Sequence, residues 1–384
     1  MAIPTAVPPA PLASRRLPVT VVTGFLGAGK TTLLRQLLLH SGQRLAVLVN
    51  EFGEVGIDGA LLRSCGFCPE DELEGRLVEL ANGCLCCTVQ DEFLPTMQIL
   101  LAKADHLDGI VVETSGLALP EPLVQAFQWP EIRTRTRVNG VVAVVDGEAL
   151  AQGSVVGDPA ALERQRSADP SLDHLSDLED LFRDQLAAAD LVLMSRADRL
   201  DGPQSEAVQQ QLAPLCRPGV QVLPMVRGEV PAELMLGLER VEPASGHRSD
   251  QQGHPADHDH DHDHDHDHSD EAHDHDHDHS HVPMQSLALQ LPGNFERQAL
   301  ERLLIEQIVE QGILRLKGWL RQSGKPRPLQ IQAVGPRLDC WYDRHPGEPK
   351  AEGSPGLELV VLGLHLDRGR LEKALGGAAL STRA

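Results

Sequence analysis

Gly24-Phe-Leu-Gly-Ala-Gly-Lys30-Thr31-Thr32 follows an apolar run at residues 18–23 and opens a segment of helical periodicity at 31–40. A glycine-rich turn between a strand and a helix, closed by Lys and Thr, satisfies the G-x-x-x-x-G-K-[ST] spacing in the context it requires. Gly24, Gly27, Ala28 and Gly29 would turn their backbone amides inward on a phosphate chain, where the helix N-terminus adds partial positive charge. Lys30 would reach the β- and γ-phosphates, and Thr31 and Thr32 complete the loop, with the Thr31 hydroxyl in a Mg²⁺ shell. The stretch therefore predicts a protein that binds a nucleoside triphosphate and uses it.

Outward from this loop, further apolar runs occupy 44–50, 109–113, 140–146, 190–195 and 220–226. They are near-continuous in Val, Leu and Ile, the pattern of strands buried on both faces of a parallel sheet. Helical periodicity at 178–189 supports the alternation, so residues 17–242 predict a doubly wound, mostly parallel α/β domain of the P-loop type. A leader, 1–16, is rich in Pro and Ala, with Arg15 and Arg16 after its apolar part, the wrong order for a secretory signal. Residues 243–282 contain alternating His and Asp with almost nothing apolar to bury, and predict a disordered linker. Beyond it, 283–376 reads as a smaller α+β domain, and 377–384 as a tail. Its strands are expected at 284–291, 312–321, 329–333, 338–343 and 357–366, and its helices at 294–311 and 367–375.

Of 384 residues, 41% are hydrophobic and 3% aromatic, so the core must rest on aliphatic side chains. The formal net charge of −22 disfavours nucleic acid and anionic membrane surfaces as partners. Much of that charge is local: residues 250–281 hold eleven Asp, one Glu and no Lys or Arg. Seven Cys, an odd number, in a chain with no apolar stretch long enough to span a bilayer predict a reducing, cytoplasmic setting.

Glu113, at the end of the 109–113 run, is placed to hold Mg²⁺ or its water and, with Lys30, to carry the chemistry. Gly116 can bring its amide near the γ-phosphate, and Asp58 is a further Mg²⁺ candidate. Ser195-Arg196-Ala197-Asp198 lies where guanine-specific P-loop proteins carry Asn-Lys-x-Asp. Asp198 keeps the carboxylate that accepts from guanine N1–H and N2–H, and Arg196 can stack on the base. The base predicted is guanine, hence GTP, over adenine.

Cys84-Leu-Cys86-Cys87 places three thiols within four residues. They can supply two or three ligands to a cation such as Zn²⁺ or Co²⁺ while leaving coordination open, as transfer requires. Cys65 and Cys68 form a second pair of undecided role, and Cys216 and Cys340 stand alone. In the linker, His258, His260, His262, His264, His266 and His268 alternate with Asp and suit weak, multiple binding of divalent metal.

The P-loop, Asn50-Glu-Phe-Gly-Glu-Val-Gly-Ile-Asp58, Glu79-Leu-Ala-Asn-Gly-Cys-Leu-Cys-Cys87 and Glu113-Thr-Ser-Gly-Leu-Ala-Leu-Pro120, in that order, resemble the CobW family. These metal-insertion GTPases are related to the nickel-insertion GTPases of hydrogenase and urease maturation. The resemblance spans nearly the whole chain, and Pro122-Leu-Val-Gln-Ala-Phe-Gln-Trp-Pro130 is most similar to the branch associated with cobalt supply for cobalamin biosynthesis. It implies a slow GTPase that takes up Co²⁺ at Cys84, Cys86 and Cys87 in its Mg²⁺–GTP state and releases it on hydrolysis. The partner implied is a metal acceptor such as a cobaltochelatase or another metalloenzyme, and a dimer is compatible with it. A zinc cargo within the same family, a non-enzymatic His/Asp-rich metal store and a small-molecule kinase are the rival readings. Ser195 and Arg196 depart from the family's Asn and Lys.

Overall fold

Branched aliphatic side chains that are apolar on both faces favour a buried pleated strand over a helix, and the runs around the P-loop follow that rule. In a computed structural model, the structure describes residues 16–49, 77–79, 93–160, 162–163, 178–237, 284–342 and 354–380. Among these, β1 (Leu17–Thr23), β2 (Leu45–Val49), β3 (Leu77–Glu79), β4 (Gly109–Glu113), β5 (Thr136–Asp146), β6 (Leu191–Ser195) and β7 (Val222–Pro224) form one sheet. Its order is β3-β2-β4-β1-β5-β6-β7, and every pairing is parallel.

Helices cover both faces. On one face Leu33, Leu34 and Leu37 of the helix Lys30–His40 pack with Val22, Val47, Val111 and Val144. On the other, Met97 and Leu100 pack with Val19, Val21 and Val112, and Leu181 and Phe182 with Val145 and Met194. Fully burying each such aliphatic side chain contributes roughly 1.5–3 kcal/mol. The doubly wound expectation holds for this sheet. Strand β3 and the short helices Glu121–Ala126, Gly147–Ala151 and Ala232–Leu236 were not singled out, since three to six residues carry too little periodicity to register.

The second sheet is antiparallel and runs β11-β10-β9-β12-β8, built from β8 (Gln285–Pro292), β9 (Ile313–Arg321), β10 (Leu329–Val334), β11 (Arg337–Tyr342) and β12 (Gly356–Gly363). Helices Arg297–Gln311 and Arg368–Gly376 lay Leu300, Leu304, Ile308, Leu371 and Leu375 on it. The expected strand 357–366 stops at Gly363, because Asp367 accepts from the Arg370 amide and starts the last helix.

The two sheets meet through buried polar groups as well as apolar ones. Leu314 of β9 joins the core of the first sheet. Arg315, fully enclosed, donates from Nε to the Leu234 carbonyl (2.7 Å) and from Nη2 to that of Met235 (2.9 Å). Asp190, just before β6, accepts from Nε of Arg337 (2.6 Å), from Arg217 and from the Val141 amide (2.8 Å). This contact lies at the opposite end of β6 from Ser195.

Candidate functional site

The P-loop leaves the C-terminal end of β1, the strand flanked by β4 and β5. Gly24, Gly27 and Gly29 have φ of 132°, 78° and 103°. At Gly24 the requirement is double, since a side-chain Cβ there would also collide with the Val144 carbonyl oxygen. Gly29 precedes the helix Lys30–His40, so the amides that open that helix face the loop.

Lys30 is buried. Its Nζ donates to the carbonyls of Gly24 (2.7 Å) and Phe25 (3.1 Å) and lies 3.9 Å from Glu113 Oε1. Glu113 is buried at the end of β4, while Thr31 and Thr32 are exposed on the first helical turn. Thr114 Oγ1 donates to Thr23 Oγ1 (3.0 Å), tying the ends of β4 and β1 together. Gly116 approaches so closely that a Cβ there would come within 2.6 Å of the Leu26 amide nitrogen. Gln185 holds this segment from below, donating to the carbonyls of Gly116 (3.3 Å) and Ala118 (3.0 Å).

The far wall is made by the ends of β5 and β6. Ser195 is buried, and its Oγ has no hydrogen-bond partner among the described residues. A Cβ at Gly29 would lie 3.6 Å from that Oγ, so the short side chain sits against the loop itself. Arg196 adopts φ 54°, pairs with the carboxylate of Asp146 and donates from Nη2 to the Gly27 carbonyl (3.3 Å). Asp198 is exposed on the short turn Ala197–Arg199.

Lys30, Thr31, Glu113, Gly116, Ser195 and Arg196 thus lie at one end of the sheet. Asp58, the trio Cys84, Cys86 and Cys87, the pair Cys65 and Cys68, and His258, His260, His262, His264, His266 and His268 lie outside the described residues. Val22, Glu113, Val49 and Glu79 are register partners across four adjacent parallel strands. β2 and β3 thus end level with the start of the P-loop, and in the sequence Asp58 comes after β2 and Cys84 after β3. Asp146 and Gln185 were missed. Asp146 ends an apolar run just as Glu113 does, a signal that could have found it; Gln185 carries none.

Two family models match. The CobW/HypB/UreG nucleotide-binding domain covers residues 18–223, and the cobalamin synthesis protein cobW C-terminal domain covers 284–379. The chain is 47% identical to "Zinc chaperone CobW" of Pseudomonas aeruginosa over 362 residues, which is 94% of this chain and 91% of that protein. It is 41% identical to a protein of the same name from Sinorhizobium sp. over 353 residues, 91% of this chain and 93% of the other. "Zinc chaperone YjiA" of Escherichia coli is 26% identical, with 94% and 98% covered. With both models placed in chain order on the two sheets, the chain belongs to the CobW family of GTPase metallochaperones.

Proposed function

We propose that the chain carries Zn²⁺ at Cys84, Cys86 and Cys87 and hands it to an acceptor metalloenzyme, with GTP hydrolysis timing the release. The observation that supports this reading is the strand register Val22–Glu113–Val49–Glu79, which ends β2 and β3, the strands that precede Asp58 and Cys84 in the sequence, level with the start of the phosphate loop. A γ-phosphate bound at that end would favour one arrangement of the cargo site, and its loss would release it. The zinc in the names of relatives 47% and 41% identical favours zinc over cobalt.

Lys30 would exchange its two loop carbonyls for phosphate oxygens, and Gly116 would present its amide to the γ-phosphate. Thr31 and Glu113 are hard oxygen donors of the kind Mg²⁺ takes, with Asp58 as a further candidate. Bound there, the ion would offset the negative charge of the β- and γ-phosphates. Asp198 would read the guanine edge, with Arg196 and Ser195 beside it. The linker histidines would collect metal weakly.

Titration of the full chain with Zn²⁺ or Co²⁺, each with GTP, with GDP or with neither, tests the proposal. One tight zinc site is expected with GTP, weakened with GDP and lost in Cys86→Ala. Equal zinc affinity in all three nucleotide states would overturn the gating, and tighter, nucleotide-gated cobalt binding would return the cargo to cobalt.

A further inference from the structure

We propose that Asp146 is a positioning residue for nucleotide binding: it fixes Arg196 against the P-loop and so sets how tightly the nucleotide is held. This rests on the reading of Ser195–Asp198 as the base-side loop.

Three elements converge on the Asp146 carboxylate, whose side chain is 1% exposed. It is the last residue of β5, and its Oδ1 accepts from the Ala149 amide (3.1 Å), capping the helix Gly147–Ala151. Its Oδ2 takes the Arg196 guanidinium. The loop at 154–158 closes over the pair, and a Cβ at Gly157 would run into Asp146 Oδ2 and come within 3.1 Å of Arg196 Nη1.

Arg196 needs such an anchor. Among the described residues, Arg196 and Arg227 are the non-glycine residues with positive φ, a conformation that L side chains adopt only when their surroundings hold them there. Its Nη2 meets the Gly27 carbonyl at the turn of the P-loop, while Glu148 Oε2 lies 4.0 Å from Nε and is engaged at 2.7 Å by Arg199. The Arg196 backbone also starts the turn that carries Asp198, for the Arg199 amide donates to the Arg196 carbonyl (3.0 Å). The chain of effect therefore runs from Asp146 to the Arg196 guanidinium. From there it divides, to the Gly27 turn and to the placement of Asp198. Both branches end on the nucleotide-holding parts of the site, so the pair acts on nucleotide retention and not on the chemical step.

The test measures GDP dissociation with a fluorescent analogue, together with kcat and KM for GTP, in the full chain. Asp146→Asn and Arg196→Ala are each expected to weaken GDP and raise KM by about tenfold or more, with kcat within about twofold. The double variant should lose no more than the worse single one, because both break one unit. Arg196→Lys should recover part of the loss. Gly157→Ala, which removes no charge and lies on an exposed loop, should weaken GDP as well, whereas Gly202→Ala, with open space around it, should not. Arg196 is a third exposed, so its variants keep the test valid if Asp146→Asn folds poorly. Asp198→Asn is expected to turn preference from GTP to XTP, since an amide donor suits the carbonyl that xanthine carries in place of the guanine 2-amino group. If that exchange fails, the base-loop reading falls and this proposal with it. If it occurs while Arg196→Ala and Gly157→Ala bind GDP like the wild type, the proposal alone is overturned.

Discussion

Cys216 and Cys340 are thiols whose surroundings hold on to the proton. Burial pushes Cys216 up to about 11, with Arg217 pulling the other way. Burial, with Glu301 adding to it, pushes Cys340 up to about 12. A metal ligand or nucleophile must be the thiolate, so both are poor candidates for either role at neutral pH. Peptide mapping after brief alkylation at pH 8 should find both modified more slowly than free cysteine, and a Cys216→Ser/Cys340→Ser variant should keep the wild-type metal stoichiometry. Rapid labelling at either position would contradict this. The sign of the linkage follows from the raised values. The folded state keeps these protons longer than the unfolded state, so the stability they contribute is present below about pH 9 and lost as pH climbs through about 11 and 12. Lys30 belongs to the same scale. It is the buried cation 3.9 Å from the buried Glu113 carboxylate, and Lys30→Ala should cut GTP hydrolysis on the order of 10²-fold or more.

At the scale of elements, buried charge joins strand to strand. Asp190 is fully buried between Arg217, which follows the helix Gly202–Leu212, and Arg337 on β11. Removing the carboxylate strands two cations at the contact between the sheets, whereas removing Arg337 leaves Arg217 in place. Urea unfolding should therefore find Asp190→Ala destabilised by about 1–3 kcal/mol, since the buried Val141 amide also loses its acceptor, and Arg337→Ala by clearly less; equal losses would overturn this sharing. Gln185 works in a similar way on a smaller span. Gln185→Ala frees the carbonyls of Gly116 and Ala118, and it should raise KM for GTP without unfolding the chain. An unchanged KM would mean that the Gly116 segment is held by its own packing.

For the whole molecule, the proposed coupling of nucleotide to metal requires reciprocity: whatever factor GTP adds to metal affinity, metal must add to GTP affinity. Calorimetry run in both orders should return one coupling constant. Deleting residues 250–281, which hold twelve acidic residues and most of the linker histidines, should remove weak sites and leave one tight site. Loss of all bound metal would instead favour the storage reading. Among the described residues, no helix is long and apolar enough to cross a membrane.

The spacing Gly24–Lys30–Thr31 and the aliphatic runs were enough, by themselves, to specify a P-loop on a parallel sheet, because both signals are local: a turn, a helix start and a strand period. The positions of Glu113 and Ser195–Asp198 at strand ends were legible for the same reason, each closing or following a run of buried residues. The order of the strands was not legible. β3 is three residues long, and nothing in its composition says that it extends the sheet beyond β2. Nor could composition show that Asp146 meets Arg196, fifty positions away in the chain, or that Asp190 meets Arg337. Those pairings are decided where strands cross the sheet, since a charge taken out of water must find its partner wherever the fold brings one near.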